Sequence, residues 1–502
     1  MQRYRTWNDT YTLTVTAGTS FTKTKGRSTG LIGWGDSKYE VIDGKPTGNV
    51  YYPNIFMPSN YYRMTTSLSL KDKRLNSVFG TAQFGYKDGF FVDVTARNDW
   101  SSALAFTESM SFFYPSVGAS ILLDKFIDLG KDINMLKLRA SYSIVGNDVP
   151  VFMSNLRYTL KDGGALTPPD KAPFRTLKPE KTHSIEVGIE GAFFDNRLEA
   201  NVTYYKTNTK NQFFEIESSY GTGLRKRYVN ASDVENQGVE FSASWHQDFN
   251  RNFSWTTRYN FAYNTNKIKE LVDGLNDLTL ADYGGAKVIL KKGGEYGDLY
   301  VRQLQRDADG KPVVDNSAPK LSGDGINDMK YVGNMNAKVN MGWSNTFTYK
   351  NFALSFLVDG KFGGKVLSMT EATLDGWGVS ERSGAARDAG TVTVDGSTFD
   401  ATKFYRATGA TNFNSQYANE MYVYDATNVR LRELSLGYTF RNLLGYGKNL
   451  TASLIGRNLL FFYKDAPMDP DVSVGTKNGW QGVDLFSLPS SRSFGLNLKL
   501  NF

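Results

Sequence analysis

The sequence contains no cysteine, which removes disulfide frameworks, thiolate metal centres and cysteine nucleophiles together. Histidine is almost missing as well. His183 and His246 are the two present in 502 residues; they stand far apart, with no neighbouring ligand set at metal spacing, and read as lone polar strand residues. No glycine-rich loop follows a strand and opens a helix to cradle phosphate, and no Gly-x-Ser-x-Gly elbow offers a nucleophile. An enzyme reading therefore has no residues to stand on, and no cofactor is expected. Long apolar runs are absent and the mean hydropathy is −0.41, whereas a membrane-spanning helix needs ~20 consecutive apolar residues. That excludes a helical membrane protein but not a barrel, whose strands are apolar only at every second position. The net charge of +7 is spread thinly along the chain without the dense basic cluster that nucleic acid requires, so no nucleic-acid partner is expected.

Proline is sparse at 14 residues, glycine frequent at 48, and aromatics make up 14% of the chain, a balance that favours many strands joined by polar turns over helices. The strands announce themselves by a period of two. Phe90, Val92, Val94 and Ala96 share one face while Phe91, Asp93, Thr95 and Arg97 share the other. Ile185, Val187 and Ile189 alternate with Ser184, Glu186, Gly188 and Glu190; Leu198, Ala200, Val202 and Tyr204 oppose Glu199, Asn201, Thr203 and Tyr205. The same pattern sets Val239, Phe241, Ala243 and Trp245 against Glu240, Ser242, Ser244 and His246, and Leu136, Leu138 and Ala140 against Lys137, Arg139 and Ser141. The final residues Phe494, Leu496, Leu498, Leu500 and Phe502 take alternate positions and end on an aromatic ring. About 14 such two-faced strands are countable, each near or above the ~10 residues that a tilted strand needs to cross a bilayer.

The connections alternate between tight turns and long polar loops. Lys87-Asp88-Gly89, Asp195-Asn196, Phe249 to Asn252 and Tyr349-Lys350-Asn351 have hairpin-turn compositions. The long loops run approximately from Arg27 to Asn60, Gly146 to Lys181, Asn211 to Glu235, Lys267 to Val332, Gly364 to Ala426 and Tyr463 to Ser490. A soluble sandwich has no reason to gather its long loops at one end; an outer-membrane barrel does, with short periplasmic turns and long extracellular loops. Aromatics near strand ends, among them Trp100, Phe112, Phe113, Tyr114, Tyr204, Tyr205, Trp245, Trp343 and Phe461 to Tyr463, fit two interfacial belts. The fold class is therefore all-β: an antiparallel transmembrane β-barrel.

Several stretches resemble the SusC/RagA group of TonB-dependent transporters. Ala96-Arg97-Asn98-Asp99-Trp100-Ser101-Ser102, Tyr114-Pro115-Ser116 and Leu136 to Tyr142 followed by Gly146-Asn147 are similar to its strand motifs. So are Leu177-Lys178-Pro179-Glu180-Lys181-Thr182, Asn236-Gln237-Gly238-Val239-Glu240, Asn428 to Tyr438, Gly456 to Leu460 and Leu488 to Ser493 with the terminal Phe502. The resemblance runs from about residue 60 to the end and implies a barrel of about 22 strands in the whole protein. It also implies an amino-terminal plug that residues 1–502 do not resemble, and Met1 to Trp7 lack the apolar core of a signal peptide. The chain is thus expected to be the carboxyl-terminal portion of the barrel, from a partial gene product or completed by another chain.

The function that the resemblance implies is active import of oligosaccharide or peptide through the outer membrane of a Bacteroidetes-type bacterium. A SusD-like surface lipoprotein would cap the mouth, and the TonB-ExbB-ExbD complex would pull the plug. Alternatives at this stage are a siderophore-type receptor, a passive porin, or a soluble β-rich carbohydrate-binding protein or adhesin. Tyr220, Tyr283, Trp377 and Trp480 in the long loops are candidate cargo contacts, because aromatic faces suit sugar rings and peptide side chains; they also suit plain loop anchoring. Phe494, Leu496, Leu498, Leu500 and Phe502 are the expected signal for the barrel-assembly machinery. Glu186, Glu190, Glu199 and Glu240 read as a hydrated inner wall and not as paired catalytic acids. Gly323 to Asp328 resembles part of a calcium loop, but Lys320 and Ser322 stand where oxygen-rich ligands are wanted, so it reads as an ordinary turn and no metal is expected.

Overall fold

The computed structural model describes residues 2–7, 10–34, 40–42, 45–47, 57, 63–155, 158–160, 166–169, 171–174, 176–217, 224, 226–271, 275–410, 417–443, 447–471, 473–475 and 479–501. Fifteen strands follow one another in a single antiparallel sheet, each paired with its neighbour in sequence order. They are β1 (Gln2–Trp7), β2 (Tyr11–Trp34), β3 (Arg63–Tyr86), β4 (Phe90–Ser101), β5 (Ser111–Leu122), β6 (Ile133–Asn147), β7 (Glu180–Phe193) and β8 (Leu198–Glu217). Then come β9 (Lys226–Asn250), β10 (Phe253–Leu271), β11 (Val339–Tyr349), β12 (Phe352–Phe362), β13 (Asn428–Phe440), β14 (Asn449–Lys464) and β15 (Ser493–Asn501). Among the described residues β1 and β15 each have one paired edge.

Cross-strand register turns the sequence alternation into continuous rows. Leu138, Ile189, Val202, Phe241, Phe261 and Met341 lie opposite one another on six successive strands, and one residue away Lys137, Glu190, Asn201, Ser242, Asn260 and Gly342 do the same on the other face. The apolar face is the exposed one. Ile185, Val187 and Ile189 are 48%, 48% and 49% accessible, while Glu186 and Gly188 between them, and Glu190 after them, are less exposed. A water-soluble sheet does the reverse, burying its apolar row against a second layer. An apolar outer face over a polar inner one is the arrangement of a barrel with hydrocarbon outside and water inside.

Short turns collect at one end. The left-handed φ values of Lys87 and Asp88, of Phe194, Asp195 and Asn196, and of Lys350 mark three of them, in agreement with the turn compositions. Rings cluster at this end: Tyr11 with Tyr86, Phe194 with Trp245, Phe249 stacked on Phe253, and Phe352 and Phe440 both against Tyr438. Lys87 and Lys350 lie over Tyr86 and Tyr349. Amphipathic rings beside snorkelling cations form one interfacial girdle.

The other end departs from the sequence reading in two ways. First, strands run further than expected: β2 continues to Trp34, and β8 and β9 stay paired, with bulges near Lys210 and Gln212, as far as Glu217 and Lys226. The expected loop from Asn211 to Glu235 is thus mostly an extended hairpin, because bulges let the ladder continue while the apolar alternation fades. Second, the long connections are folded. Helices α1 (Met369–Gly376), α2 (Glu381–Ala389) and α3 (Ala401–Thr408) sit between β12 and β13, although composition argued against helices. Ser368, Ser380 and Asp400 cap them, each side chain accepting from a backbone N–H of the first turn. With Asp277–Asp282, Ala286–Lys291, Asp298–Val301 and Lys330–Asn334 as a small sheet, they enclose a core of Val288, Leu299, Leu367, Ala372, Tyr417 and Val483 drawn from three loops.

Replacing Ile189 with Arg, on the outer face at mid-strand, is expected to cost ~2–4 kcal/mol of barrel stability and to lower the folded, heat-modifiable band on gels. Ser242→Arg, on the inner face at nearly the same height, is expected to leave that band unchanged.

Candidate functional site

The inner wall of β6 to β12 and the folded loops above it enclose the polar space of the molecule. Low on the wall, Arg139 donates to Thr203 Oγ1 at 2.5 Å and pairs with Glu190 at 3.0 Å, and Lys137 lies 3.4 Å from the same carboxylate. These are the hydrated wall groups expected from the alternation; Glu186 and Glu240 line a neighbouring cavity of about 500 Å³, and Glu190 and Glu199 another of similar size. Glu190 is neutralised where it stands, by Lys137 and Arg139.

Higher up, the motif from Asn428 to Tyr438 acquires a physical role. Arg430, 2% exposed, donates from Nε to Asp359 Oδ1 at 3.0 Å and from Nη1 to Asp469 at 3.3 Å, and its remaining nitrogen pairs with Asp471. Arg432 reaches Asp359 at 2.5 Å and Asn458 at 3.1 Å, and Lys361 reaches Asp471 at 2.7 Å. Three cations thus meet three carboxylates across β12, β13 and the loop that follows β14. A buried guanidinium is tolerated only when every donor is matched, so this cluster latches residues 469–471 onto the inner wall. In the sequence the two arginines are marked only by the family likeness; their acidic partners lie 39 to 73 residues away and give no local signal.

The candidate contacts separate. Tyr283 and Trp480 come together edge to face with ring centroids 6.3 Å apart. Tyr283 donates its hydroxyl to Gly479 O, while its own carbonyl accepts from Tyr417 at 2.7 Å, and burial pushes its phenol up to about 12. It ties three loops to one another and supports Trp480, whose ring is part exposed. Trp377 stands apart, 66% exposed, at the end of α1 beside a cavity of about 540 Å³ that Arg387, Tyr405 and Arg406 also line. Tyr220 and Phe502 lie outside the described residues. Phe494, Leu496 and Leu498 point outward on β15 and are strongly exposed, with Leu496 opposite Leu454 and Leu498 opposite Ala452.

At the calcium-like stretch, Asp328 and Met329 both donate their N–H to Gly325 O, which makes a tight turn. Among the described residues no group of three or more His, Cys, Asp or Glu side chains is placed to hold a metal ion.

A two-faced sheet with an aromatic girdle, short turns at one end and folded loops over a polar inner wall defines an outer-membrane β-barrel. The family described as "TonB dependent receptor-like, beta-barrel" matches residues 1–459, and the chain belongs to that family, whose members are transporters and not enzymes. It is 28% identical over 504 residues to TonB-dependent receptor P3 of Formosa agariphila, covering 91% of this chain and 48% of that receptor. It is 25% identical to TonB-dependent receptor SusC of Bacteroides thetaiotaomicron, over 85% of this chain and 44% of SusC. The fold superposes on the RagAB peptide importer in its open-open state with a TM-score of 0.74 at 20% identity, covering all of this chain and 54% of that one. The chain spans about half the length of the curated relatives it matches. It is an outer-membrane barrel similar to those of SusC and RagAB, and the rule for such barrels puts long loops outside the cell and short turns in the periplasm.

Arg430→Ala is expected to leave Asp359, Asp469 and Asp471 facing one another without their central cation, a loss of ~3–5 kcal/mol locally. Hydrogen exchange should show residues 465–492 losing protection while β12 and β13 keep theirs. Unchanged protection in that loop would remove the latch.

Proposed function

We propose that this chain is the carboxyl-terminal portion of the barrel of an energy-coupled importer that takes up oligosaccharide or peptide. The carrying observation is the polar cavity held between the inner wall and the folded extracellular loops. A plain pore needs no such chamber, whereas an importer must hold cargo before moving it. A SusD-like lipoprotein covers the mouth in this reading, the remaining strands and plug complete the barrel, and the TonB-ExbB-ExbD complex supplies the pull. The family resemblance and the SusC and RagAB likenesses support those partners.

Trp377 and Trp480 serve as cargo-facing rings at the mouth, with Tyr283 bracing Trp480; Tyr220 is a further cargo contact in this reading. Phe494, Leu496, Leu498 and Leu500 present the outward row that the assembly machinery reads, and the terminal Phe502 belongs to the same sequence signal. The ion-pair latch keeps the last loop seated while cargo is held.

Deleting the gene in its own host is expected to abolish concentrative uptake of one oligosaccharide or peptide class, and dissipating the proton gradient in the wild type should do the same. Uptake that persists at the wild-type rate without the gradient identifies a passive pore instead.

A further inference from the structure

The inner wall matches its cations with carboxylates: Lys73 meets Asp148 at 2.7 Å, Arg139 meets Glu190 at 3.0 Å and Lys361 meets Asp471 at 2.7 Å. The outer face leaves a set of cations unmatched. On β2 and β3, Lys23 lies opposite Arg74, Lys25 opposite Asp72 and Arg27 opposite Leu70, on the face that carries the exposed Phe21 and Val78. On β7 and β8, Lys181 lies opposite Lys210, above the pairs His183–Asn208 and Ile185–Lys206. Carboxylates on these faces are few and spoken for. Asp72 takes Lys23 at 3.4 Å, and Glu235 takes Lys206 and Lys269 at 3.0 and 3.1 Å. Asp233, which stands between Lys210 and Glu270, accepts from Asn208 at 3.1 Å. Among the described residues Arg74, Lys181 and Lys210 have no carboxylate partner, nor do Lys25 and Arg27 higher on β2. Like charges directly opposite in a sheet repel, and the outer face does this twice, at Lys23–Arg74 and at Lys181–Lys210.

The two pairs share one height. Lys23, Arg74, Lys181 and Lys210 each stand 12 residues beyond the short-turn end of their strand. At ~3.4 Å per residue and a tilt of ~35–45°, that is ~29–33 Å from the short turns. The apolar band of such a barrel is ~25 Å tall, so these cations sit just past it, at headgroup depth in the far leaflet. Exposed outward rings mark the boundary below them: Phe21 and Trp100 beneath the first pair, Tyr142 and Tyr204 beneath the second.

We propose that the two basic pairs bind the phosphate groups of an anionic outer-leaflet glycolipid and hold it against the barrel wall. A phosphate between two opposed cations converts their repulsion into charge-assisted bonds, and the acyl chains lie along the apolar rows beneath, over Phe21 and Val15 or over Ile185, Val187 and Ile189. Continuity of the cations with those rows points to a lipid; a free anion would leave the rows bare. Lys181 and Lys210 are flanked on both sides by described strands, so the strands that complete the barrel do not reach them, and a plug lies inside the wall. The site is independent of the cargo.

Native mass spectrometry of the full-length transporter in detergent tests this, with lipid A, the same lipid A stripped of its phosphates, and inorganic phosphate as probes. Phosphorylated lipid A is expected to bind, and the stripped form at least tenfold more weakly. Lys181→Gln with Lys210→Gln, and Lys23→Gln with Arg74→Gln, should each reduce the bound lipid, and all four together should weaken binding tenfold or more; the heat-modifiable band checks that the barrel is folded. Lys87→Gln with Lys350→Gln, at the short-turn girdle, should leave binding unchanged. Equal binding of the two lipid forms overturns the proposal without any variant, as does full binding by the folded fourfold variant. Inorganic phosphate binding as tightly as lipid A also overturns it, making the pairs sites for a free anion.

Discussion

Inside hydrocarbon an unpaired backbone amide has no water to turn to, so every N–H and C=O in the membrane must be satisfied by the protein itself. Long antiparallel ladders meet that demand here. β2 and β3 pair over 24 residues each, and β7 is bonded along nearly its whole length to β6 and β8. Once the backbone is committed in this way, the pleat leaves the side chains one decision, which solvent each row faces. Ile189 and its row meet lipid because Glu190 and its row cannot.

A sheet with a wet inner face also explains why the extracellular loops are folded. Connections as long as 272–338 and 363–427 would be costly to order as bare coil. Drawing Val288, Leu367, Tyr417 and Val483 into one core gives them internal stability. Close approach of α1 to α3 is part of that core: a Cβ on Gly409 would lie 2.3 Å from Gly376 N, so only glycine fits. The Arg430 cluster then ties this loop body to the wall, and the polar cavity is the space left between the two.

What could be read in advance follows from range. Period-two alternation and turn residues are local, so the strands, the two faces, the turns at Lys87-Asp88-Gly89 and Asp195-Asn196, and the membrane setting were legible in the residues alone. Strand ends were not, because the β8–β9 hairpin is held beyond Lys210 by its partner strand and not by its own pattern. The helices were hidden because α1 to α3 are 8, 9 and 8 residues long, too short for a periodicity to stand out. Site residues were the least legible. Aromatic type picked out Tyr283, which turned out to brace loops, while the polar cavity is lined by Asn264 and Asn340, ordinary polar positions of two strands until register set them side by side. Asn260, Asn264 and Asn266 alternate with Phe261 and Tyr263, and that alternation was the one available signal.

The absence of cysteine makes the central claim directly measurable. Single cysteines placed in turn at Ile185, Glu186, Val187, Gly188 and Ile189 of the membrane-inserted protein can be exposed to a charged, membrane-impermeant thiol reagent. Labelling at 186 and 188 with none at 185, 187 and 189 is the outcome required if the strand divides water from hydrocarbon. Equal labelling at all five positions, or labelling confined to the odd ones, would contradict it.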